Sequence, residues 1–183
     1  RAAAGGGRDS PEPLPPTPTR PGARLAALGQ RNGAQYGMPF AVSMPIVYVN
    51  TDLMAKAGVD VASLTTWPNI LAAGKAVDAK VGQPTAGFYF DWEQTGNWLF
   101  QGLVTSNGGR MLADNRCDFA FGDAHGMAAL KIFESFPKAG MRNLGQVPGR
   151  MAFVAGTVGI WVSSSGFAAT DCATFSNIRK RER

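Results

Sequence analysis

Apolar positions are spread unevenly along this chain, and their spacing changes character at Tyr36. Beyond it, short hydrophobic blocks alternate with amphipathic stretches, the pattern of strands and helices that share one core. Met44 to Val49 (Met-Pro-Ile-Val-Tyr-Val) is rich in β-branched and aromatic side chains and predicts a buried strand. Pro45 sits near its start, where a missing N–H does least harm. Asn50-Thr51-Asp52 supplies an N-cap for a short helix over Leu53 to Ala57, and Gly58 is its natural C-cap. Thr65-Thr66-Trp67-Pro68 opens a second helix with proline in the first turn. Ile70, Ala73 and Val77 share its inner face, and Gly82 follows its end.

Thr85 to Phe90 predicts a second strand, and Trp98 to Val104 a helix closed by the turn Asn107-Gly108-Gly109. Met127, Leu130, Phe133 and Phe136 read as the buried stripe of a further helix, stopped by Pro137 to Gly140. A last helix falls within 147–154. Thr157 to Val162 then predicts a strand with Gly159 inside it, followed by the loop Ser163-Ser164-Ser165-Gly166. Strand, helices, strand, helices, strand is the order of an α/β domain with helices covering a sheet.

Composition changes the picture at the two ends. Six of the twelve prolines lie between Pro11 and Pro21, mixed with Ala, Gly, Thr and Arg. Such a stretch resists both helix and ladder, so residues 1–35 are expected to form a disordered or polyproline-like tail. The chain opens on Arg1 and has no compact apolar leader there, which reads as a fragment or a processed form. The Arg/Pro/Ala bias is also what a shifted reading frame would produce.

Charge sharpens the same boundary. The formal net charge is +5, but residues 1–35 carry five Arg against Asp9 and Glu12, and residues 179–183 carry four basic groups against Glu182. The body between them has nine basic and ten acidic side chains, so it is not built to bind a polyanion, and nucleic acid is not an expected partner. One His and two Cys, Cys117 and Cys172, cannot by themselves supply a structural zinc site. A disulfide between those two Cys is the less expected use of them. No apolar run approaches the 18 residues of a membrane-spanning helix, and no Gly-x-Gly-x-x-Gly or P-loop appears, so no cofactor is expected.

Tyr36-Gly37-Met38-Pro39-Phe40, Ser43, and Tyr48-Val49-Asn50-Thr51-Asp52-Leu53 resemble the crossover segment of extracellular solute-binding proteins of ABC importers. The pattern is nearest the sugar and glycerol-3-phosphate binders. Lys56-Ala57-Gly58, Thr66-Trp67, Asn107-Gly108-Gly109, Ala128-Ala129-Leu130 and Phe153 to Gly156 follow in the family's order, ahead of a strand and Ser-Ser-Gly. The resemblance implies a periplasmic-binding-protein-like (type II) α/β fold, mostly the second lobe and truncated at both ends. Residues 36–170 would form the hinge segment plus that lobe, and residues 171–183 a divergent basic tail. Where the family usually has an acidic residue early in the helix after Thr-Trp, this chain has Asn69, which weakens a capping box.

The function implied is that of a substrate-binding component, not an enzyme. It would hold a sugar or glycerol phosphate ester in an interlobe cleft, as a periplasmic monomer that serves ABC permease subunits. A sugar site needs aromatic plates and neutral hydrogen-bonding groups, and a phosphate adds main-chain N–H groups at a turn. Trp92 and Trp98, in a stretch that also offers Asp91 and Glu93, are candidate plates; Ser164, Ser165 and Gly166 are candidate donors, and Ser43 a cleft hydroxyl at the hinge. Asp91 and Glu93 read equally well as solvated loop charges, and Tyr48 and Trp161 as core. The alternatives are a non-functional truncated remnant, or an α/β hydrolase-like fragment using Ser163 to Ser165. The latter lacks a Gly-x-Ser-x-Gly elbow and has only His125 as a base.

Overall fold

The computed structural model describes residues 23–93, 95–115 and 117–168. The chain divides into two compact units, Arg1–Val42 and Ser43–Arg183. In the first, helix α1 (Ala23–Ala26) runs into a 3-10 turn, and β1 (Gln30–Arg31) pairs antiparallel with β2 (Ala34–Gln35). Residues 23–35, expected to lie in a disordered tail, are therefore ordered here. The cause is Asn32-Gly33: both have positive φ (50° and 80°), as a tight hairpin turn demands, and these are the two residue types that accept it most readily. Gln35 is buried, and its side chain donates to the Ala26 and Gly37 carbonyls. The expectation for 1–22 and the tail 171–183, including Cys172, lies outside the described residues.

The second unit carries the predicted alternation. Its elements are β3 (Pro45–Val49), α2 (Thr51–Ala57), α3 (Trp67–Val81), β4 (Ala86–Phe90), α4 (Gly96–Ser106), α5 (Ala124–Ser135), α6 (Gln146–Val154) and β5 (Val158–Ser164). Local chemistry fixes the boundaries. Asn50 Oδ1 accepts from the N–H groups of Asp52 and Leu53 to start α2, and Gly58 ends it in the left-handed conformation. Thr66 makes no side-chain cap for α3; Asn69 instead donates to the Ser63 carbonyl at 2.7 Å.

The sheet runs in the order β3-β5-β4, with β5 parallel to β4 and antiparallel to β3. The last strand in sequence is thus the central one. Phe88, Phe90, Ile160 and Val162 join Leu53, Met54, Ile70, Val77, Leu99, Leu103 and Phe136 in the larger core, under α2 to α5. The second face carries a smaller cluster of Tyr48, Ala86, Tyr89, Phe153, Val158 and Trp161, to which α6 contributes Phe153. Trp161 stacks on Tyr48 (centroids 4.8 Å apart) and on Phe167 (5.4 Å), so both Tyr48 and Trp161 are core residues as expected.

Two expectations are corrected. Met127 and Leu130 are about half exposed, not core. Repeating every third residue walks 60° per step off a helix face, and the buried side of α5 instead follows Gly126, Ala129, the half-buried Phe133 and then Phe136 just beyond its end. The serine segment is not all loop either: Ser163 and Ser164 complete β5, and only Ser165–Phe167 form a 3-10 turn.

Candidate functional site

In open α/β sheets ligands lie beyond the carboxyl ends of the parallel strands. Here β4 ends at Phe90 and β5 at Ser164, while the antiparallel β3 begins at Pro45, opposite Ser164. One edge of the sheet therefore gathers Ser43, Asp91-Trp92 and Ser164 to Gly166. Two hydrogen bonds close it: Met44 N donates to Ser165 Oγ (2.9 Å) and Ser165 N to the Met44 carbonyl (2.8 Å). Trp98 follows in the first turn of α4.

The six sequence-derived candidates differ in what they offer. Ser43 and Gly166 are exposed. Ser164 Oγ accepts from Gly166 N at 3.1 Å, and its carbonyl accepts from Tyr48 Oη at 2.7 Å. The Ser164 and Ser165 hydroxyls thus shape the turn as acceptors, and a hydroxyl that accepts still has its own O–H to give. Trp92 is 42% exposed, and its Nε1 donates to Asn143 Oδ1 at 3.2 Å. Trp98 is half-buried against the larger core.

Asp91 is not a solvated loop charge. It is fully buried, and its Oδ2 accepts from Ser163 Oγ at 3.0 Å and from Gln146 Nε2 at 2.9 Å. Its Oδ1, Tyr89 Oη and Trp161 Nε1 are buried without a hydrogen-bond partner among the described residues. The Tyr89 phenol is pushed above its ordinary range, first by burial and then by the negative charges of Asp91 and Glu93. Glu93 itself is exposed, with Oε2 close to Gly145, the residue before α6. Asn143 and Gln146 were not candidates in the sequence, and Ser163 was one only for the hydrolase-like alternative. Alternation along β4 marks Asp91 as sharing a face with Tyr89, and that was the available signal.

The edge combines indole faces, hydroxyls, amide groups and the exposed Glu93 carboxylate, a set suited to a polyhydroxylated molecule. Beside it, a groove of about 680 Å³ opens between the start of α3 and α4, past Met44 and Pro45. Its walls (Val47, Trp67, Ile70, Leu99, Leu103) are mostly apolar, and none of the six candidates lines it, so it offers dispersion rather than hydroxyl recognition. His125 is exposed near the start of α5, with Nδ1 2.7 Å from the Asn107 carbonyl. Among the described residues no group of three or more His, Cys, Asp or Glu is placed to hold a metal ion, and no helix is long and apolar enough to cross a membrane.

Comparison with known proteins gives a family. The family model for bacterial extracellular solute-binding proteins matches residues 5–171, reaching further toward the N-terminus than the stretch from Tyr36 that carries the resemblance. An arabinooligosaccharide-binding protein of Halalkalibacterium halodurans is 38% identical over 56 residues, 31% of this chain and 13% of that protein. The sn-glycerol-3-phosphate-binding periplasmic protein UgpB of Agrobacterium fabrum is 33% identical over 78 residues, 40% of this chain and 18% of that protein. In three dimensions the chain is similar to UgpB from Mycobacterium tuberculosis, solved in complex with glycerophosphocholine. The TM-score is 0.71 at 20% identity, over 86% of this chain and 42% of that one. That likeness establishes a type II periplasmic-binding-protein α/β fold, and this chain spans less than half the length of the protein that shares it. With a family match over most of its length and that fold, the chain belongs to the bacterial extracellular solute-binding proteins.

Proposed function

We propose that this chain supplies one wall of a ligand cleft, the second lobe of the substrate-binding component of an ABC importer, for a sugar or a glycerol phosphate ester. One observation carries the reading. Ser43, Trp92, Ser164, Ser165 and Gly166, separated by up to 123 positions in sequence, lie at the carboxyl edge of a single sheet, with Trp98 in the first turn of α4, the helix that follows β4. Each contributes what such a ligand needs. Trp92 and Trp98 give apolar faces for a ring or a glycerol backbone, and the serine hydroxyls, which still have their own O–H to donate, meet ligand hydroxyls or phosphate oxygens. The names of the relatives support both ligand classes, since one binds arabino-oligosaccharides and another sn-glycerol 3-phosphate. In the full protein a hinge would close a second lobe over the ligand, and the liganded monomer would dock on permease subunits outside the cytoplasmic membrane.

A single wall desolvates only part of a ligand, so the 183-residue chain should bind weakly, with Kd of about 1 mM or above. Chemical-shift titration of the ¹⁵N-labelled chain with maltotriose, an arabino-oligosaccharide, sn-glycerol 3-phosphate and glycerophosphocholine reads that range. Saturable shifts at residues 43, 92, 98 and 164–166 with one class, lost in Trp98→Ala, are the expected outcome. No shift at these positions with any of the four at ~20 mM would sink the proposal.

A further inference from the structure

The most connected residue at the edge is Asp91, which is sealed from solvent. Its main-chain N donates to the Val162 carbonyl of β5 at 3.1 Å, and its carbonyl accepts from Thr95 Oγ1, just before α4, at 2.7 Å. Its Oδ2 takes Ser163 Oγ from β5 and Gln146 Nε2 from the first residue of α6. One residue at the end of β4 thus grips three other elements. A buried carboxylate is tolerated only where donors reach it, so its burial selects the arrangement in which β5 and α6 bring Ser163 and Gln146 to one oxygen. Immediately beyond those contacts lie the Ser164 to Gly166 turn, one residue past Ser163, and Trp98, three past Thr95.

We infer that Asp91 is a positioning residue: it sets the spacing between the Ser164 to Gly166 turn and the first turn of α4, and orients the start of α6 against both. This rests on the reading of the edge as the ligand wall. A carboxylate suits the task because one oxygen accepts two donors, with charge strengthening both bonds. An amide at the same position keeps an acceptor oxygen that both donors can share and loses only the charge, whereas a leucine of similar size leaves Ser163 and Gln146 without an acceptor.

The test compares the 183-residue chain with Asp91→Leu, which removes the shared acceptor, and with Asp91→Asn, which keeps it. Three quantities are read: the amide signals of residues 96–98 and 164–166, the affinity for whichever of the four ligands titrated above binds, and the melting temperature. Asp91→Leu is expected to move both sets of amides and weaken binding about tenfold, and Asp91→Asn to leave both within about threefold of the parent. A lowered melting temperature with unmoved amides and unchanged affinity overturns the inference, because Asp91 is then an anchor for stability alone. Should Asp91→Leu fail to fold, Gln146→Ala removes one donor and leaves the Ser163 bond. Shifts at both 96–98 and 164–166 then support the inference, and shifts confined to α6 overturn it. If the parent binds none of the four ligands the proposed function falls, while the amide signals still decide the role of Asp91.

Discussion

Single side chains at helix starts show how directly local chemistry reads from sequence to structure. Asn50 caps α2 through two main-chain N–H groups, both at 3.1 Å, and the Asn-Thr-Asp triplet announces it without any tertiary knowledge. Asn50→Ala should cost about 0.5–2 kcal/mol in urea unfolding. Asp123 caps α5 in the same way, accepting from the N–H groups of His125 and Gly126 at 3.0 Å each. The Gly126 N–H bond, with help from His125, holds its carboxyl below the usual 3.8. A depressed carboxylate lends stability that is complete above the unfolded value and lost as pH falls through the folded one. The melting-temperature gap between the parent and Asp123→Ala should therefore be full at neutral pH and close as pH drops below about 4. Asp91 was not legible at this scale. Its parity with Tyr89 hints at a face, but the donors that make it a buried acceptor lie 55 and 72 residues away.

Elements were legible where period and punctuation agreed. The five main helices of the second unit fall where apolar spacing and caps put them, within a residue or two at most ends. The face of α5 was misread because a three-residue repeat resembles a stripe only over two turns. The β1–β2 hairpin was missed because the proline-rich neighbourhood outweighed Asn32-Gly33, although that pair is itself a strong hairpin signal. What periodicity cannot convey is how closely two elements approach. Helix α3 lies on β4 at backbone distance: a Cβ at Gly87 would stand 1.9 Å from the Gly74 carbonyl oxygen, which cannot rotate aside. Gly87→Ala should force α3 off the sheet and cost at least about 1–3 kcal/mol, seen as a lower denaturation midpoint with an unchanged slope.

For the whole molecule, the α/β class followed from the alternation of elements, but the strand order did not. β5 is central because, among the described strands, it alone pairs on both sides, with β3 antiparallel and β4 parallel, and that arrangement depends on crossovers which no local pattern encodes. Its amides from Val158 to Val162 are buried and hydrogen-bonded between neighbours, so they should exchange with deuterium more slowly than those of β3. Equal protection in the two strands would contradict the sheet order. The gathering of site residues follows the same logic: alternation put strands on the page, and only the β3-β5-β4 order brought Ser43, Trp92 and Ser165 to one edge. That order also leaves the molecule with an optical signature. Trp161 is held face to face with Tyr48 and Phe167, with Phe153 tilted against it 5.5 Å away, on the sheet face opposite α2 to α5. Rigid, asymmetric ring stacks dominate near-ultraviolet circular dichroism, so this one face will supply most of that spectrum, and its melting can be followed apart from the helical far-ultraviolet signal of the other.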